Sequence, residues 1–210
     1  MAEDLVFYTH PMSRGRVVRW MLEELGQPYR TELLDYGGSM KAPAYLAVNP
    51  MGKVPAIRHG GTVVTEGAAI CAYLADAFPA AALAPPPGDP RRGPYYRWLF
   101  FAAGPMEAAV VNRSLGFELP PGKERMAGYG SYADVMNAAE QAVGQGLYLA
   151  GDSFTAADLY FGAHLGWGMQ FGTIEKRPAF EAYWARLAAR PAAIRAAAID
   201  DALVPPQQGG

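Results

Sequence analysis

Apolar and polar positions change rhythm along this chain, and the changes divide it. Residues 4 to 8 form a short apolar run of strand character, and residues 14 to 25 place Val17, Val18, Met21, Leu22 and Leu25 on one helical face. Gly26 supplies the stop. A strand is expected near Tyr29 to Asp35 and a short irregular helix near Met40 to Val48. Val54 to Arg58 and Thr62 to Thr65 then read as two strands of a hairpin turning at His59-Gly60-Gly61. Glu66-Gly67 opens an apolar helical run, AAICAYLADAF, completing a β-α-β-α-β-β-α unit.

The rhythm breaks at PAAALAPPPGDP, residues 79 to 90, beyond which almost everything has helical spacing. The expected layout is an α+β domain over 1–80, a linker over 81–90 and an all-helical domain over 91–210. Helices are predicted at about 91–111, 124–146, 155–171, 178–190 and 191–199. FTAADLYFGAHLGWG is apolar almost all round, the mark of a helix buried inside a bundle. Thr155 and Asp158 stand at capping-box spacing, with Phe154 and Leu159 as a hydrophobic staple. Capping accounts for Asp158 without a catalytic role.

Composition narrows the function classes. The 210 residues are 51% apolar, enough for a substantial core, and the net charge of −2 with pI near 5.9 offers nothing to a polyanion. Nucleic acid is not expected as a partner. No apolar run reaches membrane-spanning length, so no membrane partner is expected, and MAEDLVFYTH lacks a signal-peptide pattern. Cys71 is the single cysteine, which rules out an internal disulfide and suits a reducing cytoplasm. Its position inside an apolar helix reads as an inert buried thiol. Nothing in the sequence calls for a metal.

Candidate chemistry gathers around NPMGKVPAI and TEG. A proline holds a cis peptide at a penalty of only about 0.5–1 kcal/mol, so Val54-Pro55 can turn a backbone edge toward a ligand. The helix start at Glu66-Gly67 lies beside that edge and suits an anionic, peptide-like ligand. Pro55 as a plain trans edge-strand proline and Glu66 as a helix-start acid remain the alternative.

Four segments resemble the glutathione transferase family in order and spacing: LVFYTHPMSRGRVVRWMLEELGQPY, NPMGKVPAI, TEGAAICAYLAD and GDSFTAADLY. The resemblance covers nearly the whole chain. It implies a thioredoxin-like N-terminal domain, an all-α C-terminal domain, glutathione as co-substrate and a homodimer. In its terms the Val54 backbone pairs with the cysteinyl part of glutathione, Pro55 holds that edge and Lys53 reaches the glycine carboxylate. Glu66 faces the γ-glutamyl ammonium and the Gly67 amide its carboxylate. The family usually has serine after this glutamate, so Gly67 removes one side-chain hydrogen bond, about 0.5–1.5 kcal/mol.

The resemblance also points to Ser13 as the hydroxyl that stabilises the glutathione thiolate, matching serine-type members. An ordinary cap at the start of the first helix is the other reading of Ser13. Tyr8 and His10 are alternatives: tyrosine-type members place the residue four before the arginine of the Arg-Gly pair, where His10 stands. Phe101, Met106, Trp167 and Phe171 are candidate walls for an apolar electrophile, though each also suits a bundle core. The expected reaction is transfer of glutathione's sulfur to an electrophilic carbon. Glutathione-dependent reduction of peroxides or disulfides, and a non-catalytic glutathione-binding or regulatory role, are the alternatives.

Overall fold

The computed structural model describes residues 4–204. Its contacts form two compact units. One holds the residues up to Ala81 together with the last helix, and the other spans Ala82–Ala188.

In the first unit, β1 (Leu5–Thr9) buries every residue except the half-buried Tyr8. It lies centrally, parallel to β2 (Arg30–Leu33) and antiparallel to β3 (Ala56–His59), which pairs with β4 (Thr62–Thr65) in the order β2-β1-β3-β4. The β3–β4 turn is the two-residue Gly60-Gly61, with His59 opposite Thr62 and Gly60 at positive φ, as a tight hairpin requires. α1 (Gly15–Leu25) joins β1 to β2 and stops at Gly26, whose φ of 64° lets its amide close on Leu22 O. Between β2 and β3 the chain makes a 3-10 turn (Ser39–Lys41) and the four-residue α2 (Pro43–Leu46). α3 (Gly67–Ala77) follows the hairpin. This is the thioredoxin-like order that the sequence predicts.

The sequence reading groups residues 91–210 together, but the last helix, α9 (Pro191–Ala202), belongs to the contacts of the first unit and packs on α1. The reason is charge as well as apolar surface. Arg16 pairs with Asp201, Arg19 with Asp200, Glu23 with Arg195 and Glu24 with Arg190, an antiparallel ladder between the two helices. Arg19 and Asp200 are almost wholly buried, and Arg19 also donates to Tyr29 Oη and Thr31 Oγ1. Burial raises the Asp200 carboxyl pKa, and the Arg19 guanidinium opposes that rise.

The second unit is helical. α4 (Arg92–Phe101) runs into a π turn at Ala102–Met106 and on into α5 (Glu107–Ser114). Pro105 explains the interruption: it has no amide to give, and the widened turn absorbs the missing bond. The expected helix over 124–146 begins only at α6 (Tyr132–Gly144), because Gly128 and Gly130 break the pattern and Ser131 caps the new start by accepting Asp134 N at 3.1 Å. α7 (Ala156–Phe171) carries the capping box and buries most of its surface. α8 (Pro178–Ala188) packs on it where glycine permits close approach: a Cβ on Gly162 would run into Leu187, and one on Gly166 into Trp184. No helix of the described residues is long and apolar enough to cross a membrane.

Candidate functional site

The Val54-Pro55 peptide bond is cis, and the β3 ladder begins only at Ala56. Val54 is half-buried and Pro55 buried, and among the described residues no backbone partner takes the Val54 amide or carbonyl. A short free edge is left there. The residues before it are held firmly: Lys53 O accepts from Tyr45 Oη at 2.6 Å and Asn49 Nδ2 at 2.8 Å. Gly52, with φ at 56°, lies so close to Met40 O that a Cβ would stand 2.8 Å away. Lys53 is exposed, and Lys41 Nζ reaches Met51 O at 3.0 Å beside it, a second ammonium that sequence reasoning overlooked.

Glu66 joins β4 to α3 with φ 65° and ψ 116°, a backbone shape that costs a non-glycine residue about 1–2 kcal/mol. It turns the chain sharply enough for α3 to begin at once. The first intrahelical bond runs from Ile70 N to Glu66 O, so the amides of Gly67, Ala68 and Ala69 have no acceptor within the helix. Those amides and the positive end of the helix dipole suit a carboxylate.

Ser13 lies in a tight loop between β1 and α1. Its hydroxyl donates to His10 O at 2.6 Å, and its oxygen accepts from Gly15 N at 2.9 Å. Ser13 is not the ordinary helix cap of the alternative reading: Arg14 is the N-cap of α1, with no side-chain cap bond, and Ser13 stands one residue earlier, bracing the loop through the Gly15 amide with a proton that a stronger acceptor could take. A thiolate is one. Giving up a neutral bond of about 0.5–1.5 kcal/mol for a charged one of about 1.5–3 kcal/mol is favourable. His10 Nδ1 accepts from Met12 N at 3.1 Å, which leaves the proton of a neutral ring on Nε2, and the ring leans on Tyr36 with centroids 4.5 Å apart. Tyr8 packs against Tyr45, 5.5 Å between centroids, in the cluster of Met40, Tyr45 and Ala56 that underlies Val54.

Gly15 is required where it stands, since an added Cβ would collide with the buried Thr9 Oγ1 and crowd Ser13 Oγ. Gly15→Ala is expected to destabilise the protein by about 1–3 kcal/mol, as overpacking does. Thermal unfolding beside wild type checks it; an unchanged midpoint would show that the loop yields.

Comparison with known proteins identifies the family. Residues 12–77 match the glutathione S-transferase N-terminal domain, and residues 115–191 match its C-terminal domain. The probable glutathione S-transferase GSTF2 of Oryza sativa is 30% identical over 192 residues, 85% of this chain and 88% of that protein. The chain belongs to the glutathione S-transferase family. A crystal structure of a glutathione transferase from Methylococcus capsulatus has a TM-score of 0.78 at 30% identity, covering 94% of this chain and 99% of that one. The glutathione transferase URE2P6 from Phanerochaete chrysosporium, in complex with oxidized glutathione, also has a TM-score of 0.78, at 27% identity, covering 96% and 98%.

For this family member, the structure puts Tyr8, His10, Ser13, Lys53, Val54, Pro55, Glu66 and Gly67 all in the first unit. The four apolar candidates are in the second. Phe101 and Trp167 are half-buried, with Phe101 stacked on Phe161, while Phe171 is exposed at the end of α7. Met106 is fully enclosed in the π turn and has no surface to offer a ligand, so the expectation that it lines a pocket is corrected: it is core. Sequence reasoning missed a cavity of about 360 Å³ within this unit, lined by Arg113, Phe117, Leu119, Tyr129 and Tyr132 among others. Its walls come largely from the non-helical stretch before α6. Cys71 is buried, and burial alone pushes its thiol up to about 12, too high for a nucleophile at neutral pH.

Proposed function

We propose that the protein conjugates the thiolate of glutathione to an apolar electrophile. The free Val54 edge carries this reading: a cysteinyl backbone added there would have the α3 amides on one flank and exposed Lys53 on the other. Lys53 binds the glycine carboxylate, Glu66 the γ-glutamyl ammonium and the Gly67 amide the γ-glutamyl carboxylate. Ser13 stabilises the thiolate. Phe101 and Trp167 contribute apolar surface for the second substrate, and assembly as a homodimer in the cytoplasm belongs to the same reading.

Lys53→Ala is expected to weaken glutathione binding about 10-fold through loss of one charged hydrogen bond, with kcat little changed. Calorimetric titration and steady-state kinetics check it. Equal affinity for the two proteins would place the glycine carboxylate elsewhere. A second reading, a non-catalytic glutathione-binding protein, draws on the Ser13 hydroxyl being engaged with His10 O. Titration of the bound thiol separates the two: binding with the thiol pKa still near its free value, about 8.5, would sink the transferase reading.

A further inference from the structure

We propose that α9 helps to position Ser13, through Arg16. This rests on the reading of Ser13 as the thiol-stabilising group and adds to it a long-range support. Every peptide carbonyl of the loop from His10 to Ser13 is held. His10 O accepts from Ser13 Oγ, Pro11 O from Arg16 Nε at 2.6 Å, Met12 O from Tyr36 Oη at 3.0 Å and Ser13 O from Arg16 N at 3.2 Å. Arg16 therefore grips the loop with both its amide and its side chain. The same guanidinium donates from Nη1 to Asp201 Oδ1, at 2.7 Å, on α9. A planar guanidinium serves two acceptors in two directions at once; a lysine ammonium at the end of a flexible stem fixes neither direction.

Two observations set this apart from a casual surface pair. The Arg19–Asp200 pair lies immediately beneath it, both partners almost wholly buried, and fixes the axial register at which α9 presents Asp201 to Arg16. The placement of the acids also runs against helix electrostatics: the C-terminal end of a helix favours cations, yet Asp200 and Asp201 occupy the end of α9, whose last turn has no basic residue. Arg16 and Arg19 on α1 supply the missing positive charge. The unfavourable placement is thus compensated only while α9 sits on α1, which ties the helix to the loop that carries Ser13. Arg16 is a positioning residue: it acts on the thiol through Ser13.

Hydrogen exchange of the Met12 and Gly15 amides, which donate to His10 Nδ1 and Ser13 Oγ, followed by NMR without glutathione, tests the mechanical link in Arg16→Lys and Asp201→Ala. Exchange about 10-fold faster than wild type is expected in both. In the same variants kcat should fall about 5-fold with KM for glutathione within about twofold, and the pKa of the bound thiol should rise. Asp201→Glu should restore all three readouts. Wild-type exchange rates in both variants, beside a wild-type protein that does activate the thiol, would overturn the link alone. A wild-type protein that leaves the bound thiol at its free pKa would overturn the thiol-activation reading and with it the catalytic part of this proposal.

Discussion

Asp158→Ala is expected to destabilise the protein by about 3–5 kcal/mol, the largest stability effect of any single change considered. The carboxylate is fully buried and accepts from four donors: Leu149 N at 2.7 Å, Thr155 N at 2.9 Å, Thr155 Oγ1 at 2.8 Å and Tyr183 Oη at 2.6 Å. It therefore does more than close the first turn of α7. It fastens the segment before that helix and the middle of α8 to the same point. Burial raises its pKa and the four donors oppose that rise, while the buried Tyr183 hydroxyl is pushed well above its ordinary value by burial first and by the carboxylate second. Alanine would leave the Leu149 amide, the Thr155 amide and the Tyr183 hydroxyl buried without their acceptor, at about 1–3 kcal/mol each before relaxation. Thr155→Ala removes only the cap hydroxyl and should cost about 1 kcal/mol. Urea denaturation of the three proteins gives the comparison; a shift for Asp158→Ala no larger than that for Thr155→Ala would reduce Asp158 to an ordinary cap.

The contrast between Thr155 and Tyr183 shows what the sequence makes legible. Thr155 and Asp158 are three residues apart, so their reciprocal bonds follow from helix geometry alone. Tyr183 and Leu149 reach the same carboxylate by way of tertiary packing, and no local spacing announces them. Likewise, Val54-Pro55 and the start of α3 stand out in the chain because each device is local. Arg16–Asp201 and Glu24–Arg190 join residues 185 and 166 positions apart, which is why α9 reads from periodicity as one more helix of the second half. Glu66 is instructive in another way. Its place before an apolar helix is legible, but positive φ is normally met by glycine, and here the glycine stands one position later. Hairpin and helix together impose that turn on Glu66. The late start of α6 and the π turn at Pro105 are decided by glycines and a proline inside stretches whose apolar rhythm continues through them.

Ser13→Ala should produce the largest loss of turnover, about 10-fold at pH 6.5, with glutathione affinity within about threefold of wild type. The estimate follows from the bonds around the hydroxyl. Stabilising a thiolate yields about 1.5–3 kcal/mol, from which the relinquished bond to His10 O takes back about 0.5–1.5; the contribution of the N-terminus of α1, about 0.3–1, remains in the variant and does not enter the difference. The hydroxyl's net share, about 1.3 kcal/mol, corresponds to about one unit of thiol pKa, held below about 8.5 while the hydroxyl is present. The sign fixes the pH profile. With the hydroxyl present, thiolate is abundant at neutral pH; without it, the thiol ionises only as pH approaches its free pKa, so the deficit of Ser13→Ala should narrow as pH rises toward 9. Tyr8→Phe should change turnover by less than about threefold at every pH, because Tyr8 packs among Met40, Tyr45 and Ala56 as part of the floor beneath Val54. Steady-state kinetics with a generic electrophile across this pH range, with ultraviolet titration of the bound thiol, distinguishes the two. A constant deficit at all pH values would mean that Ser13 shapes the loop through Gly15 N and His10 O without touching the thiol's ionisation. A large, pH-dependent loss in Tyr8→Phe with Ser13→Ala unaffected would move the activating hydroxyl to Tyr8.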